Sequence, residues 1–239
     1  MYYLNKPLKI NEPFGTVLKS SSKAGPFVGP VSLERFIEKE NIMNIGIDID
    51  DTISETFETL LPYSQKYTIE DLKRKSKIEL RSDYPNHFYI VYMNGWNEKE
   101  AVDFWKKYYA EILRNLNMKK FASEVINKLK SEGHKIFLIT ARWDMEKDNT
   151  QEITKQWLKE NNIEYDGLFL NASDKLQLVK DNNIDVFIDD SFNNCKKIAN
   201  NTDVKVYMMN SKINEALNDE KITRVFSWAE IYSLIERSK

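Results

Sequence analysis

The sequence predicts an α/β fold, a parallel sheet flanked by helices, with a small helical cap inserted after the first strand. Two observations carry that expectation. From Asn44 onward, short β-branched runs alternate with helical stretches, the pattern that builds parallel sheets with helices on both faces. The alternation breaks once: about 85 residues separate Ile49 from Lys135, too many for a simple crossover.

Residues 1–43 differ from the rest. Pro7, Pro13, Pro26 and Pro30, four of the six prolines, lie here with Gly15, Gly25 and Gly29. The segment therefore reads as an irregular extension, with one short helix near Ser32–Glu40 that Ser32 can cap. The sequence leaves open whether it wraps the domain or bridges the subunits of a homodimer. The strands are expected at Asn44–Ile49, Lys135–Thr140, Gly167–Leu170, Asp185–Asp189, Val204–Met209 and Ile222–Phe226. Helices are expected at Lys119–Glu132, Asp148–Asn161, Asp174–Asn182, Ser191–Asn200, Ser211–Asn218 and Ser227–Arg237. The core thus comprises residues 44–53 and 119–239. The helical, aromatic-rich stretch 54–118 is the cap.

Composition narrows the partners. Lys and Arg number 35 against 37 Asp and Glu, a net charge of −2, so no basic field points to a nucleic-acid polymer or a membrane surface. One cysteine, Cys195, rules out an internal disulfide framework and suits a reducing cytoplasm. With only His87 and His134 beside it, a Cys/His zinc site is not available, and a bound metal must take oxygen ligands, which favours magnesium. No apolar run approaches the ~20 residues of a membrane-spanning helix.

Four segments at predicted strand ends carry chemistry. In Asp48-Ile49-Asp50-Asp51-Thr52, three carboxylates in four positions persist where something cationic compensates them. Asp48 could hold a cation with one oxygen and attack with the other, while Asp50 protonates a leaving group. Taken alone, the run also reads as a solvated turn or helix cap. Thr140, with Ala141 and Arg142 behind it, ends a buried strand where a hydroxyl and backbone N–H groups can meet a phosphate. By itself Thr140 is equally a cap, and Arg142 could contact either substrate or a surface carboxylate. Lys175 stands at a helix start, against the dipole preference, which suggests that it faces negative charge. Lys180 is its competitor. Asp189-Asp190 closes the fourth strand, ahead of Ser191.

The joint order of Asp-x-Asp-x-Thr, strand-Thr, Lys and strand-Asp-Asp resembles the haloacid dehalogenase (HAD) superfamily of phosphatases over residues 44–210. Within it, Ile139-Thr140-Ala141-Arg142, Trp157-Leu158 and Phe187-Ile188-Asp189-Asp190-Ser191 are similar to bacterial proteins like the 5′(3′)-deoxyribonucleotidases. The resemblance implies a HAD-like, Rossmannoid core, with Asp48 as nucleophile and Asp50 as general acid/base. It implies Thr140, Ala141 and Lys175 at the phosphate, and Mg2+ held by Asp48, Asp189, Asp190 and the backbone carbonyl of Asp50.

The function expected is Mg-dependent hydrolysis of a small phosphate monoester, a nucleoside monophosphate, through an aspartyl-phosphate. In the cap, Phe57 and Trp96 are the candidates to stack on a base, with Arg142 as a further substrate contact. The competing readings are a phosphatase for a sugar phosphate or other small metabolite, and a non-catalytic binding protein on the same fold.

Overall fold

A computed structural model describes residues 42–76, 78–79, 89–144 and 149–238. The expected irregular extension and its short helix fall outside these residues, apart from the last two positions before the first strand. Six parallel strands form one sheet: β1 (Asn44–Ile47), β2 (Lys135–Ile139), β3 (Gly167–Phe169), β4 (Val186–Asp189), β5 (Lys205–Met209) and β6 (Ile222–Val225). Their order is β3-β2-β1-β4-β5-β6. β1 therefore lies between β2 and β4, with Ile47 opposite Leu138 on one side and Ile188 on the other. The connections leave β1 in opposite directions at this point, and that opens a crevice beyond the carboxyl ends of the strands.

The central strands bury both faces. Ile45, Ile47, Leu138, Val186 and Ile188 are fully enclosed, which is why they read as continuous apolar runs rather than alternating ones. At Gly46 a Cβ would come within 3.1 Å of the Phe187 ring, so that close approach favours glycine. Helices α4 (Ala122–Ser131), α5 (Thr150–Glu160), α6 (Lys175–Asp181), α7 (Phe192–Asn201) and α8 (Trp228–Glu236) flank the sheet.

Between β1 and β2 the chain makes α1 (Thr56–Lys66), a π-helical turn at Tyr67–Asp71, α2 (Tyr89–Asn94) and α3 (Glu98–Arg114). It leaves and returns through a narrow neck, where Ser54 bridges Met118 and the Glu55 N–H donates to the Asn117 carbonyl at 2.8 Å. Helix α3 starts at a reciprocal cap: Asn97 accepts from the Glu100 N–H, and the Glu100 carboxylate accepts from the Asn97 N–H. The rings of Tyr67, Trp96, Phe104 and Tyr108 pack into one cluster, with Trp96 4.7 Å from Phe104 and edge-on to Tyr67 at 5.1 Å.

One expected element is absent. Ser211–Asn218 forms turns, not a helix. Arg224 donates to the Asn214 and Leu217 carbonyls, and the Asn214 side chain donates to the carbonyls of Asp190 and Met209. Acceptors that a helix would bond internally are thus taken by a side chain from β6.

Candidate active site

The crevice gathers the strand-end residues. Asp48 follows β1 directly, and its N–H still donates to the Ile188 carbonyl at 2.9 Å, so its carboxylate is fixed relative to β4. Asp189 and Asp190 end β4, and Lys175 opens α6 behind its N-cap, Asp174. The Lys175 ammonium donates to Asp48 Oδ1 at 2.5 Å and to Asp189 Oδ2 at 2.8 Å, at 3% side-chain exposure. The lysine that runs against the helix dipole thus lies between two buried acids, whereas Lys180 is exposed.

The carboxylates differ in how far they are compensated. Asp189 is well compensated: Oδ1 accepts from the Ser191 N–H at 2.7 Å, and Oδ2 accepts from Lys175 and from Asn194 at 3.0 Å. Among the described residues no hydrogen bond reaches the carboxylate oxygens of Asp190. Burial, then the charges of Asp51, Asp189 and Asp48, push Asp190 well above the ordinary carboxylate range. Burial also raises Asp48 to about 7, against the pull of Lys175. Oxygens of Asp48, Asp189 and Asp190 lie within 4.8 Å of one another. Three buried acids share one ammonium, so the set carries excess negative charge and offers only hard oxygen donors. Such a donor set suits a hard divalent cation.

Asp50 is held differently. Arg142 grips it with its fork, Nε to Oδ2 and Nη2 to Oδ1, both at 2.9 Å, and the Thr56 hydroxyl donates to Oδ1 at 2.9 Å. Burial raises the Asp50 pKa, but the Arg142 charge and hydrogen bonds outweigh it and hold the carboxyl below its usual value. Thr140, fully buried, lies 3.5 Å from Asp50 Oδ2 and accepts from the Arg142 N–H at 3.3 Å. Ala141 joins these two residues at the mouth of the crevice, half-buried.

Three substrate contacts expected from sequence are placed elsewhere. Arg142 is 3% exposed and turned inward on Asp50. Trp96 is interior to the aromatic cluster, its indole N–H donating to Thr68 at 3.0 Å, so its faces are not available to a base. Phe57 is buried against Tyr89, with ring centroids 5.7 Å apart.

Other residues carry more than the sequence reading assigned them. Asp51 adopts a left-handed φ of 57° and accepts from the Phe57 N–H at 2.8 Å, capping the start of α1. Burial raises it to about 7. Tyr89 feels Asp51, Asp190 and Asp50, after burial itself, as the causes that raise its hydroxyl. Trp143 follows Arg142, stacked on Tyr109 at 4.9 Å and 16° and edge-on to Trp105 at 5.9 Å. At 40% exposure it is the open aromatic surface next to the Thr140 loop among the described residues. Its position just past a strand end was the available signal.

Solved structures of similar shape include a HAD-like hydrolase from Streptococcus pneumoniae, with a TM-score of 0.56, 14% identity and coverage of 81% of this chain and 98% of that one. A HAD-superfamily hydrolase of subfamily IA from Geobacter sulfurreducens gives 0.56 at 16% identity, over 81% and 96%. At these identities they establish the fold. Among sequences, a nucleotidase from Clostridium acetobutylicum is 28% identical over 196 residues, 82% of this chain and 94% of its own length. The Bacillus subtilis protein YqfW is 28% identical over 199 residues, 83% of this chain and 96% of its own. A model of the family described as 5′ nucleotidase, deoxy (pyrimidine), cytosolic type C matches residues 41–239. With the acids, the lysine and the HAD-like sheet already in place, this match identifies the chain as a phosphatase belonging to that nucleotidase family.

Proposed function

We propose that this phosphatase hydrolyses nucleoside monophosphates with the help of Mg2+ and through an aspartyl-phosphate on Asp48. The observation that carries the reading is the Lys175 bridge between Asp48 and Asp189, with Asp190 left uncompensated beside it. Asp48, Asp190 and the Asp50 backbone carbonyl would hold the ion. Asp189, with both oxygens already bonded, orients Lys175 and completes the acidic wall. When bound, Mg2+ supplies positive charge that screens the phosphate dianion and keeps Asp48 ionised.

The protein's own groups then divide the work. Lys175, the Thr140 hydroxyl and the Ala141 N–H bind the phosphate oxygens. An Asp48 oxygen bonds to phosphorus as the bond to the nucleoside oxygen breaks, and that oxygen takes a proton from Asp50. Water next attacks the same phosphorus and gives its proton back to Asp50. The Asp48–phosphorus bond breaks, and inorganic phosphate leaves. Arg142 favours the ionised form of Asp50, so Asp50 must take up the proton it donates before the first step. That proton comes from solvent, which its 32% exposed side chain allows, or from the water of the preceding turnover.

The family's description names deoxy-pyrimidine substrates, and we take pyrimidine deoxynucleoside 5′-monophosphates as the first candidates. Among the described residues no helix is long and apolar enough to cross a membrane. The test is phosphate release from nucleoside monophosphates and sugar phosphates, with Mg2+ or EDTA. Mg-dependent release confined to nucleotides, and abolished by Asp48→Asn, is the expected result. Release spread evenly over sugar phosphates would discard the nucleotide assignment, and activity retained by Asp48→Asn would discard the nucleophile.

A further inference from the structure

Arg142 is bonded as a structural clamp would be, not as a substrate ligand. All three of its guanidinium nitrogens are engaged: Nε and Nη2 on the two oxygens of Asp50, and Nη1 on the Thr154 hydroxyl at 3.2 Å. The guanidinium lies 5.8 Å from the Trp157 ring centroid, and the side chain is 2% exposed. Three of its five N–H donors are thus committed inside the protein, and at 2% side-chain exposure the rest have little access to the crevice. The clamp nevertheless ends on a group that faces it, because Asp50 keeps an exposed side. The same loop holds Thr140, whose hydroxyl accepts from the Arg142 N–H. One short segment after β2 therefore fixes both a phosphate-binding hydroxyl and the acid/base carboxylate.

We infer that Arg142 is a positioning residue, whose fork fixes Asp50 to receive the proton of the water that attacks phosphorus in the second half of the reaction. The inference rests on the aspartyl-phosphate reading above. In that step the water oxygen bonds to phosphorus, the Asp48 oxygen–phosphorus bond breaks with its electron pair returning to Asp48, and the water proton passes to Asp50. A bidentate fork sets direction as well as charge, and it bonds best to the carboxylate form that can accept this proton. Thr56 adds a third donor from the start of α1. The second half-reaction depends most on the clamp, because an aryl leaving group in the first half departs without a proton whereas water must always lose one.

Stopped-flow hydrolysis of p-nitrophenyl phosphate with Mg2+ separates the halves. Wild type, Arg142→Ala, Arg142→Lys and Asp50→Asn are compared, with melting curves to check folding. The expected result for both Arg142 variants is a burst of about one p-nitrophenolate per active site, then a steady state about 10²-fold slower than wild type, the scale of a misplaced catalytic group. Acid-quenched samples should contain the phosphorylated protein by intact mass, and KM should not rise. Lysine keeps the charge but not the fork, so a fully active Arg142→Lys enzyme would overturn the inference. So would a raised KM at unchanged kcat, which marks a substrate ligand, or slow turnover without a burst in a destabilised protein, which marks scaffolding alone. Asp50→Asn supplies the separate control. No burst there would mean that Asp50 is not the base and that the parent reading fails. A burst there, with none in folded Arg142 variants, would sink only the clamp.

Discussion

Replacing Lys175 with methionine keeps the length of the side chain and removes the ammonium from between Asp48 and Asp189. At 2.5 and 2.8 Å, each contact is worth roughly 6 kcal/mol of gross Coulomb attraction at an effective dielectric near 20. Desolvation cancels much of this, and losing one partner of a buried ion pair costs about 3–5 kcal/mol net. For a chain of this size that is a fall in Tm of roughly 6–20 °C. The cost must depend on pH. Asp48 already stands at about 7 with Lys175 present, and removing the cation raises it further. An acid whose folded pKa lies above its unfolded value weakens the folded state increasingly as pH climbs from the unfolded value towards the folded one. Up to about pH 7 folded Asp48 is protonated in both wild type and variant, so both lose the same amount through this group, and only above that does the variant's loss keep growing. Thermal melts of wild type and Lys175→Met in EDTA should therefore differ little at pH 5 and strongly at pH 8. An equal gap at both values would refute the electrostatic argument and leave packing as the cause. No gap at all would show that Lys175 does not compensate these acids.

Three further outcomes can be checked separately. Asp51→Asn keeps an acceptor for the Phe57 N–H while removing a buried acid raised to about 7, so it should melt higher than wild type at pH 8, by less at pH 5, and not at all below the ordinary carboxylate value. The gain should be a few kcal/mol at most, since a shift of roughly 3 units is worth about 4 kcal/mol; an unchanged or lower Tm at pH 8 would contradict the burial argument. Magnesium should raise the Tm of wild type with the logarithm of its concentration relative to Kd and have much less effect on Asp190→Asn. An equal shift in both would move the ion off Asp190. Trp143→Ala should raise KM for nucleoside monophosphates by about 10-fold, the scale of one stacked base, and leave ribose 5-phosphate unchanged. Equal effects on both substrates would mean that Trp143 braces the loop without touching the base.

The parallel sheet could be read from the sequence because its central strands are buried on both faces. Runs such as Ile45 to Ile47 and Val186 to Ile188 have no polar alternation, and the helix after each has its first turn bonded by a side chain, Asp51 or Ser191. The same logic exposed the candidate site, since polar residues at the ends of such strands stand out against what precedes them. What a local pattern cannot contain is a partner that arrives from far along the chain. Arg224 takes the carbonyls of the Ser211–Asn218 segment from 10 and 7 residues away and cancels its helix. Trp96 and Trp143 look alike as aromatics near polar loops. Only the packing of Tyr67, Phe104 and Tyr109 decides that one is enclosed and the other open.

The division of charge is the deepest instance of that limit. Asp48, Asp50, Asp51, Asp189 and Asp190 are visible as five acids at two strand ends, and nothing in their spacing ranks them. The pairing of β1 with β2 brings Arg142 to Asp50, across 92 residues of sequence. The pairing of β1 with β4 brings Asp189 beside Asp48, where Lys175 reaches both. Asp50 and Asp189 are thereby compensated from within the protein. Asp48 and Asp190 face each other with too little positive charge, and burial sharpens the imbalance. Two buried acids short of positive charge make a site that a divalent cation, alone or with a phosphate ester, would stabilise. The sheet topology thus decides which acids are left short of positive charge, and so where a cation would be of use.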